Sequence, residues 1–293
     1  MTAPFDYDTA FSRNLGWVTP AEQQALRGKC VAIAGLGGVG GSHLLTLARL
    51  GIGRFRLAEF DTFELVNFNR QAGASVSALG RPKLEVMCAM ARDINPSIDV
   101  ALFADGVTER NVDAFLDGAD LFVDGLDFFA FDARQRVFAR CAARGIPATT
   151  VAPLGMGAAL LNFLPGRMTF AEYFGLDRCP DDEKPLRFLL GLAPAALHRR
   201  YLVDPSFVDL AAQKGPSTAM ACELCAGVAG AEALKILLAR RRVVAAPRGI
   251  HFDAYRNIAV RTWQPFGWRG PMRRVVHLIA RRQFARMRAQ APR

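Results

Sequence analysis

The chain has 293 residues, with 37 Lys and Arg against 27 Asp and Glu, for a formal net charge of +10. An apolar fraction of 51% excludes a mainly disordered or fibrous chain, and the length allows one large domain or two smaller ones. The charge is uneven: residues 240–293 hold fourteen arginines and one acid, Asp253, which leaves 23 basic against 26 acidic residues in the body.

The first ten residues carry Asp6 and Asp8 and no apolar core, so they read as neither a secretory signal nor a transit peptide. No uncharged apolar run reaches the ~18 residues needed to cross a bilayer, and the stretch 188–197 is interrupted by Pro194. The expected location is the cytoplasm. There the six cysteines (Cys30, Cys88, Cys141, Cys179, Cys222 and Cys225) would be reduced, serving as core thiols, ligands or nucleophiles.

Residues 30–34 read as a buried strand and 39–50 as a helix opened by glycines. A second strand is expected at 54–59, then an irregular polar segment at 63–80. The stretch 82–94 reads as a helix with proline in its first turn, ending before Asn95-Pro96. Strands at 99–103, 121–124 and 148–151 alternate with a short helix at 112–116 and a longer one at 132–144, closed by Gly145. This alternation predicts an α/β fold, a Rossmann-like doubly wound sheet that is mainly parallel. Residues 158–164 read as a further strand. The stretch 166–217 has no clear strand and holds Pro180, Pro185, Pro194, Pro205 and Pro216. A helix follows at about 219–240. Strands near 250–253 and 258–263 have hairpin spacing around Arg256-Asn257, adding antiparallel strands in the C-terminal half. Residues 272–287 read as a basic amphipathic helix. The expected division is an N-terminal arm 1–28, a nucleotide-binding half 29–165, a crossover and specificity segment 166–217, a completing helix and strands 218–263, and a basic tail 264–293.

Gly35, Gly37, Gly38 and Gly40 form a G-x-G-x-x-G run between the first strand and the first helix. Glycines there allow a tight turn and close approach of phosphates to backbone N–H groups at a helix N-terminus. Glu59 and Asp61 follow Gly40 by nineteen and twenty-one residues, near the ~20 at which a carboxylate meets a ribose hydroxyl. Any ribose nucleotide fits that much, whether NAD, FAD or ATP, while a Walker-type G-x-x-x-x-G-K-[ST] loop is absent. The cations and amides that follow favour a triphosphate: Asn67-Phe68-Asn69-Arg70-Gln71, then Gly80-Arg81-Pro82-Lys83. Charge on transferring phosphoryl oxygens is stabilised by such groups and by metal.

This ordered set, with Asn95-Pro96 and Val123-Asp124-Gly125-Leu126-Asp127, resembles the ThiF/MoeB/HesA family, bacterial relatives of ubiquitin-activating enzymes. The resemblance spans roughly residues 11–165 and 219–263. It implies ATP- and magnesium-dependent adenylation of a C-terminal carboxylate on a small carrier protein or peptide, usually by a homodimer. By position, Gly35, Gly37, Gly38 and Gly40 would hold the phosphates and Asp61 the ribose. Asn67, Arg70 and Lys83 would neutralise the triphosphate, and Asp127 would be the magnesium carboxylate. Arg13 would be donated across the dimer interface. The chain departs from the family after Asp127: Phe128-Phe129-Ala130-Phe131 makes the segment about two residues longer, and Asp124 is a rival for the metal carboxylate.

Many relatives hold zinc with two C-x-x-C pairs. Here Cys222 and Cys225 are a single pair, which leaves a tetrahedral shell open. They are zinc candidates, but packing as small apolar groups is the expected role. Cys179 is the one cysteine of the crossover segment and the candidate for a thioester or persulfide step, although adjacent acids disfavour its thiolate. The basic tail fits RNA, a membrane surface or an acidic protein partner. Competing readings are a dehydratase acting on threonylcarbamoyladenosine in tRNA, and a nucleotide-binding scaffold whose chemistry has lapsed.

Overall fold

The structure, a computed structural model, describes residues 4–210 and 212–290, with 283–290 as backbone alone. The N-terminal arm is helical where no helix was expected. Asp6 caps α1 (Tyr7–Ala10), and α2 (Pro20–Gly28) starts from a reciprocal capping box between Thr19 and Glu22, with proline in the first turn.

Eight strands form one sheet in the order β3-β2-β1-β4-β5-β6-β7-β8. They are β1 (Cys30–Ala34), β2 (Arg54–Ala58), β3 (Asp99–Phe103), β4 (Leu121–Asp124), β5 (Ala148–Leu154), β6 (Gly157–Phe163), β7 (Arg248–Asp253) and β8 (Ile258–Trp263). The first five pair in parallel and the last three add antiparallel, as the sequence pattern predicts. All five residues of β1 are buried. An unbroken apolar strand is what helices on both faces of a parallel sheet require.

Those helices build two cores. On one face α3 (Gly38–Arg49) and α4 (Lys83–Ile94) pack with Leu44, Leu47 and Met87 inward. On the other lie α5 (Val112–Phe115) and α6 (Phe131–Arg144). The crossover segment holds two helices, α7 (Phe170–Phe174) and α8 (Lys184–Leu192), whose Phe170, Tyr173, Phe174 and Phe188 complete the second core. Pro194 explains why α8 stops, because the residue before a proline avoids the helical region. The long helix α9 (Ala219–Leu237) lies against α3. Small residues allow the approach: a methyl group at Gly230 would meet Thr46 Cγ2 at 3.0 Å. Ser42 Oγ donates to Glu223 Oε1 (2.8 Å) across the contact.

The basic tail is the helix α10 (Pro271–Gln290), longer at both ends than expected. Among the described residues, no helix is long and apolar enough to cross a membrane. The strand order reverses between β1 and β4, so the loops after these two strands open a crevice at the carboxyl edge of the sheet. That switch point is where doubly wound sheets bind ligands.

Candidate adenylation site

The glycine loop runs from the end of β1 into α3. Gly35 has φ +82°, and a side chain at Gly35 or Gly40 would overlap the backbone of Gly125 or Gly35. These two glycines let the loops after β1 and β4 touch. Gly37 and Gly38 face the crevice instead. A methyl group at Gly37 would meet Gln71 Nε2 at 3.5 Å, and one at Gly38 would meet Cys222 Sγ at 3.2 Å and Arg70 Nε at 3.7 Å. Gly37 is the N-cap of α3 and offers no side-chain cap, so the first-turn N–H groups suit an anion.

The two carboxylates after β2 have different work. Glu59 is buried and accepts from the N–H groups of Leu36 (2.7 Å), Phe60 (2.9 Å) and Asp61 (3.0 Å). It therefore holds the glycine loop to the end of β2. Asp61 is exposed and pairs with Lys83, Nζ to Oδ2 3.2 Å. A short ladder sets that pairing. Lys83 N donates to Asp61 O (2.9 Å) and Phe63 N to Arg81 O (3.0 Å). Lys83 is itself buried.

Arg70 lies over Gly38, held by Val66 O (3.1 Å) and Asn69 Oδ1 (2.9 Å). Asn69 ties this turn to the end of the crossover segment by donating to Ser217 O (2.9 Å). Asn67 is buried and its Oδ1 is engaged by the Glu64 N–H (2.9 Å), so the carbonyl shapes the turn and only the amide hydrogens are available to a phosphate. Gln71 was not singled out from the sequence. It is buried, and its Oε1 has no partner among the described residues. Its Nε2 is the amide atom nearest Gly37, so the amide already presents its donors to a phosphate there. The N-x-x-R-Q run that pointed to Arg70 was the signal for Gln71 as well.

On the β4 side Asp124 and Asp127 differ in burial. Asp124 forms a buried ion pair with Arg134 Nε (2.9 Å). Arg134 also donates to the carbonyls of Leu126 (2.7 Å), Asp127 (2.9 Å) and Phe128 (3.2 Å). Asp127 is exposed, and its Oδ1 accepts only a local bond from Phe129 N (2.9 Å) among the described residues. Its carboxylate is open to solvent. Phe128, Phe129 and Phe131 pack on one another, and Phe128 and Phe131 pack on Phe188 of α8. A cavity of about 550 Å³ opens beside this loop, between Phe129–Ala133 and Asp181, Lys184 and Leu210 of the crossover segment.

Two candidates stand apart. Arg13 is exposed, and its neighbour Asn14 donates to Leu50 O (3.4 Å). Leu50 follows the last residue of α3, so the backbone beside Arg13 sits at the end of that helix remote from the glycine loop, and twelve residues at 1.5 Å make it about 18 Å long. Cys179 is half-buried, and its thiol is pushed up by burial first, with Glu183 and Asp182 adding to the effect and Arg187 opposing it. Cys222 and Cys225 are fully buried among Val39, Val151, Ala158 and Leu160. Burial raises both thiols, though a Ser217 hydrogen bond and Arg70 oppose it at Cys222. Among the described residues no three Cys, His, Asp or Glu side chains gather as a metal cluster.

The model of the ThiF family matches residues 11–267. The tRNA threonylcarbamoyladenosine dehydratase of Bacillus subtilis is 35% identical over 150 residues, 51% of this chain and 57% of that protein. The sulfur carrier protein ThiS adenylyltransferase of Escherichia coli is 32% identical over 167 residues, 56% of this chain and 64% of that one. The chain thus spans little more than half the length of the curated relatives it matches. Among solved structures, E. coli MccB with succinimide superposes with a TM-score of 0.66 at 20% identity, covering 90% of this chain and 74% of its own. E. coli TcdA, a tRNA N6-threonylcarbamoyladenosine dehydratase, gives 0.57 at 23% identity, covering 79% and 95%. At those identities the two structures establish a shared fold.

Proposed function

We propose that this chain, which belongs to the ThiF family, uses ATP to adenylate a carboxylate at the C-terminus of a small carrier protein or peptide, releasing pyrophosphate. The observation that supports this reading is Arg70 and Gln71 on the open side of the glycine loop, with Lys83 paired to Asp61 after β2 and the exposed carboxylate of Asp127 on the loop after β4. A nicotinamide site has no need of that many cations beside the ribose carboxylate.

The roles follow from position and charge. N–H groups at the start of α3 receive phosphate oxygens. Arg70 and Lys83 offset the repulsion between an attacking carboxylate and the α-phosphate, a contribution of about 3 kcal/mol for one well-placed group. Lys83 is paired with Asp61 before any ligand arrives, so a ribose hydroxyl on Asp61 and a phosphate on Lys83 would share the existing pair. Magnesium would be held by Asp127 and would screen the phosphates. The cavity between the Phe129 loop and the crossover segment is the place for the acyl tail. Arg13 fits only a homodimer, since its own glycine loop is a helix length away. Exposed Trp17, Leu65 and Val66 supply apolar surface near it and near Arg70.

The test is ATP–pyrophosphate exchange with a small carrier protein ending in Gly-Gly, expected to be supported by the wild type. Asp127→Ala and Arg70→Ala should each lose about 100-fold while the urea midpoint is unchanged. A second reading, dehydration of threonylcarbamoyladenosine in tRNA, is favoured by the B. subtilis relative. ATP-dependent cyclisation of that nucleoside without exchange on any peptide tail would select it. ATP binding without AMP transfer to either substrate would leave a nucleotide-binding scaffold.

A further inference from the structure

Helix α10 lies beyond residue 267, where the family match ends, and it docks in an unusual sense. A surface helix normally turns its apolar stripe to the core. Here the inward side of the described side chains is largely polar. Arg273 is buried, donates to Tyr173 O (2.8 Å), and lies over the rings of Tyr173 and Trp268. His277 sits edge-on to Trp268, with ring centroids 5.1 Å apart. Arg281 pairs with Glu183 (2.8 Å). These contacts hold the helix against α7 and α8.

The apolar residues point the other way. Met272, Val275, Val276, Leu278 and Ile279 are between 43% and 79% exposed. At 100° per residue, Val275, Ile279, Met272 and Val276 cover a continuous arc of about 100°. Arg274 and Arg282 are exposed on one side of that arc. Phe266, 67% exposed, lies beside Gly270 just before the helix, and Trp263 is 63% exposed on the edge strand β8. Residues 254–293 contain no acid.

We infer that α10 is an interfacial helix that lies on a membrane surface rich in anionic lipid, with Val275, Ile279, Met272 and Val276 entering the acyl boundary and the arginines meeting headgroups. Aliphatic residues beside arginines, with exposed aromatics nearby, are the composition of helices that lie in the interface plane. A second copy of the helix would bring arginines face to face with no carboxylate in this region to answer them. Nucleic acid would use the arginines and leave the aliphatic arc wet.

Vesicle flotation with the full chain tests this. The protein should float with vesicles of phosphatidylcholine mixed with phosphatidylglycerol, and stay behind with phosphatidylcholine alone. Val275→Asp with Ile279→Asp should cut the bound fraction by about tenfold or more. Arg274→Gln and Arg282→Gln should each cost roughly fivefold, and added salt should mimic them. All four side chains are exposed, so an unchanged urea midpoint would confirm folding of the variants. Equal binding to neutral vesicles, or to none, overturns the inference. So does a dimer that the aspartate pair converts to monomers without affecting flotation, or an RNA gel shift that Arg274→Gln and Arg282→Gln abolish while flotation is unchanged.

Discussion

A methyl group at Gly40 would overlap the carbonyl oxygen of Gly35, whereas one at Gly37 would find the flexible amide of Gln71 at 3.5 Å. The two glycines should therefore fail in different assays. Gly40→Ala presses backbone on backbone and should cost about 3 kcal/mol or more in urea unfolding, at or beyond the upper end for overpacking. Gly37→Ala should keep stability within about 0.5 kcal/mol and lose calorimetric ATP affinity by about tenfold, as expected where backbone must approach a phosphate. Wild-type ATP binding by Gly37→Ala would remove the loop from the site. The glycine spacing was legible in the sequence, but the division of labour was not, because it depends on which neighbour each Cα faces. Glu59 and Asp61 are a similar pair. Their distance from Gly40 marked both, and only the fold shows that Glu59 caps N–H groups while Asp61 meets Lys83.

The loop from β4 to α6 is held chiefly by one side chain. Arg134 and Asp124 are each under 5% exposed, and the same guanidinium takes three loop carbonyls. Arg134→Met leaves a buried carboxylate unpaired, which should lower the unfolding free energy by about 3–5 kcal/mol. Asp124→Leu combined with Arg134→Met should recover part of that loss in the same urea experiment. If the double variant is as unstable as the sum of both singles, the ion pair is not what fixes the loop. From the sequence, the two extra residues threatened the geometry of Asp127. The packing of Phe128 and Phe131 on Phe188 lies 57 to 60 positions away in the chain and could not be read there. The strands and the helices of the first half were legible because their apolar period is regular. Helices α7 and α8 were not, since prolines and short turns hide the period. The capping box of α2 was present in Thr19 and Glu22 and went unread.

Across the whole molecule the charge imbalance sits at one end, whereas the acid sensitivity sits in the interior. His43 is fully buried with neither ring nitrogen partnered among the described residues, and burial holds it down to about 3. His198, in the crossover segment, is pushed to about 4 by burial first and then by His251 and Arg199. Above the ordinary value near 6.5 both are neutral, folded or unfolded. Between 6.5 and these lowered values only the unfolded chain takes up the proton. Stability is thus fully present above pH 6.5 and falls as pH drops, by about 1.4 kcal/mol per unit for each such histidine. His43→Leu removes one of these contributions. Urea unfolding at a series of pH values should show the variant gaining on the wild type by about 2 kcal/mol between pH 6.5 and 5. A constant difference across that range would contradict the buried neutral imidazole.

The contact of α3 with α9 has a consequence for the order in which the molecule is made. Ser42 and Glu223 are 181 positions apart, and Glu22 reaches Arg240 across 218. During synthesis the glycine loop leaves the ribosome early, yet its helix lacks α9 until residues past 223 have emerged. Closure of so distant a pair is slow. Throughout that interval the buried faces of Leu44 and Leu47 have only α4 and the nascent strands to cover them. The nucleotide loop is among the first parts of the chain to be made, and its support is among the last.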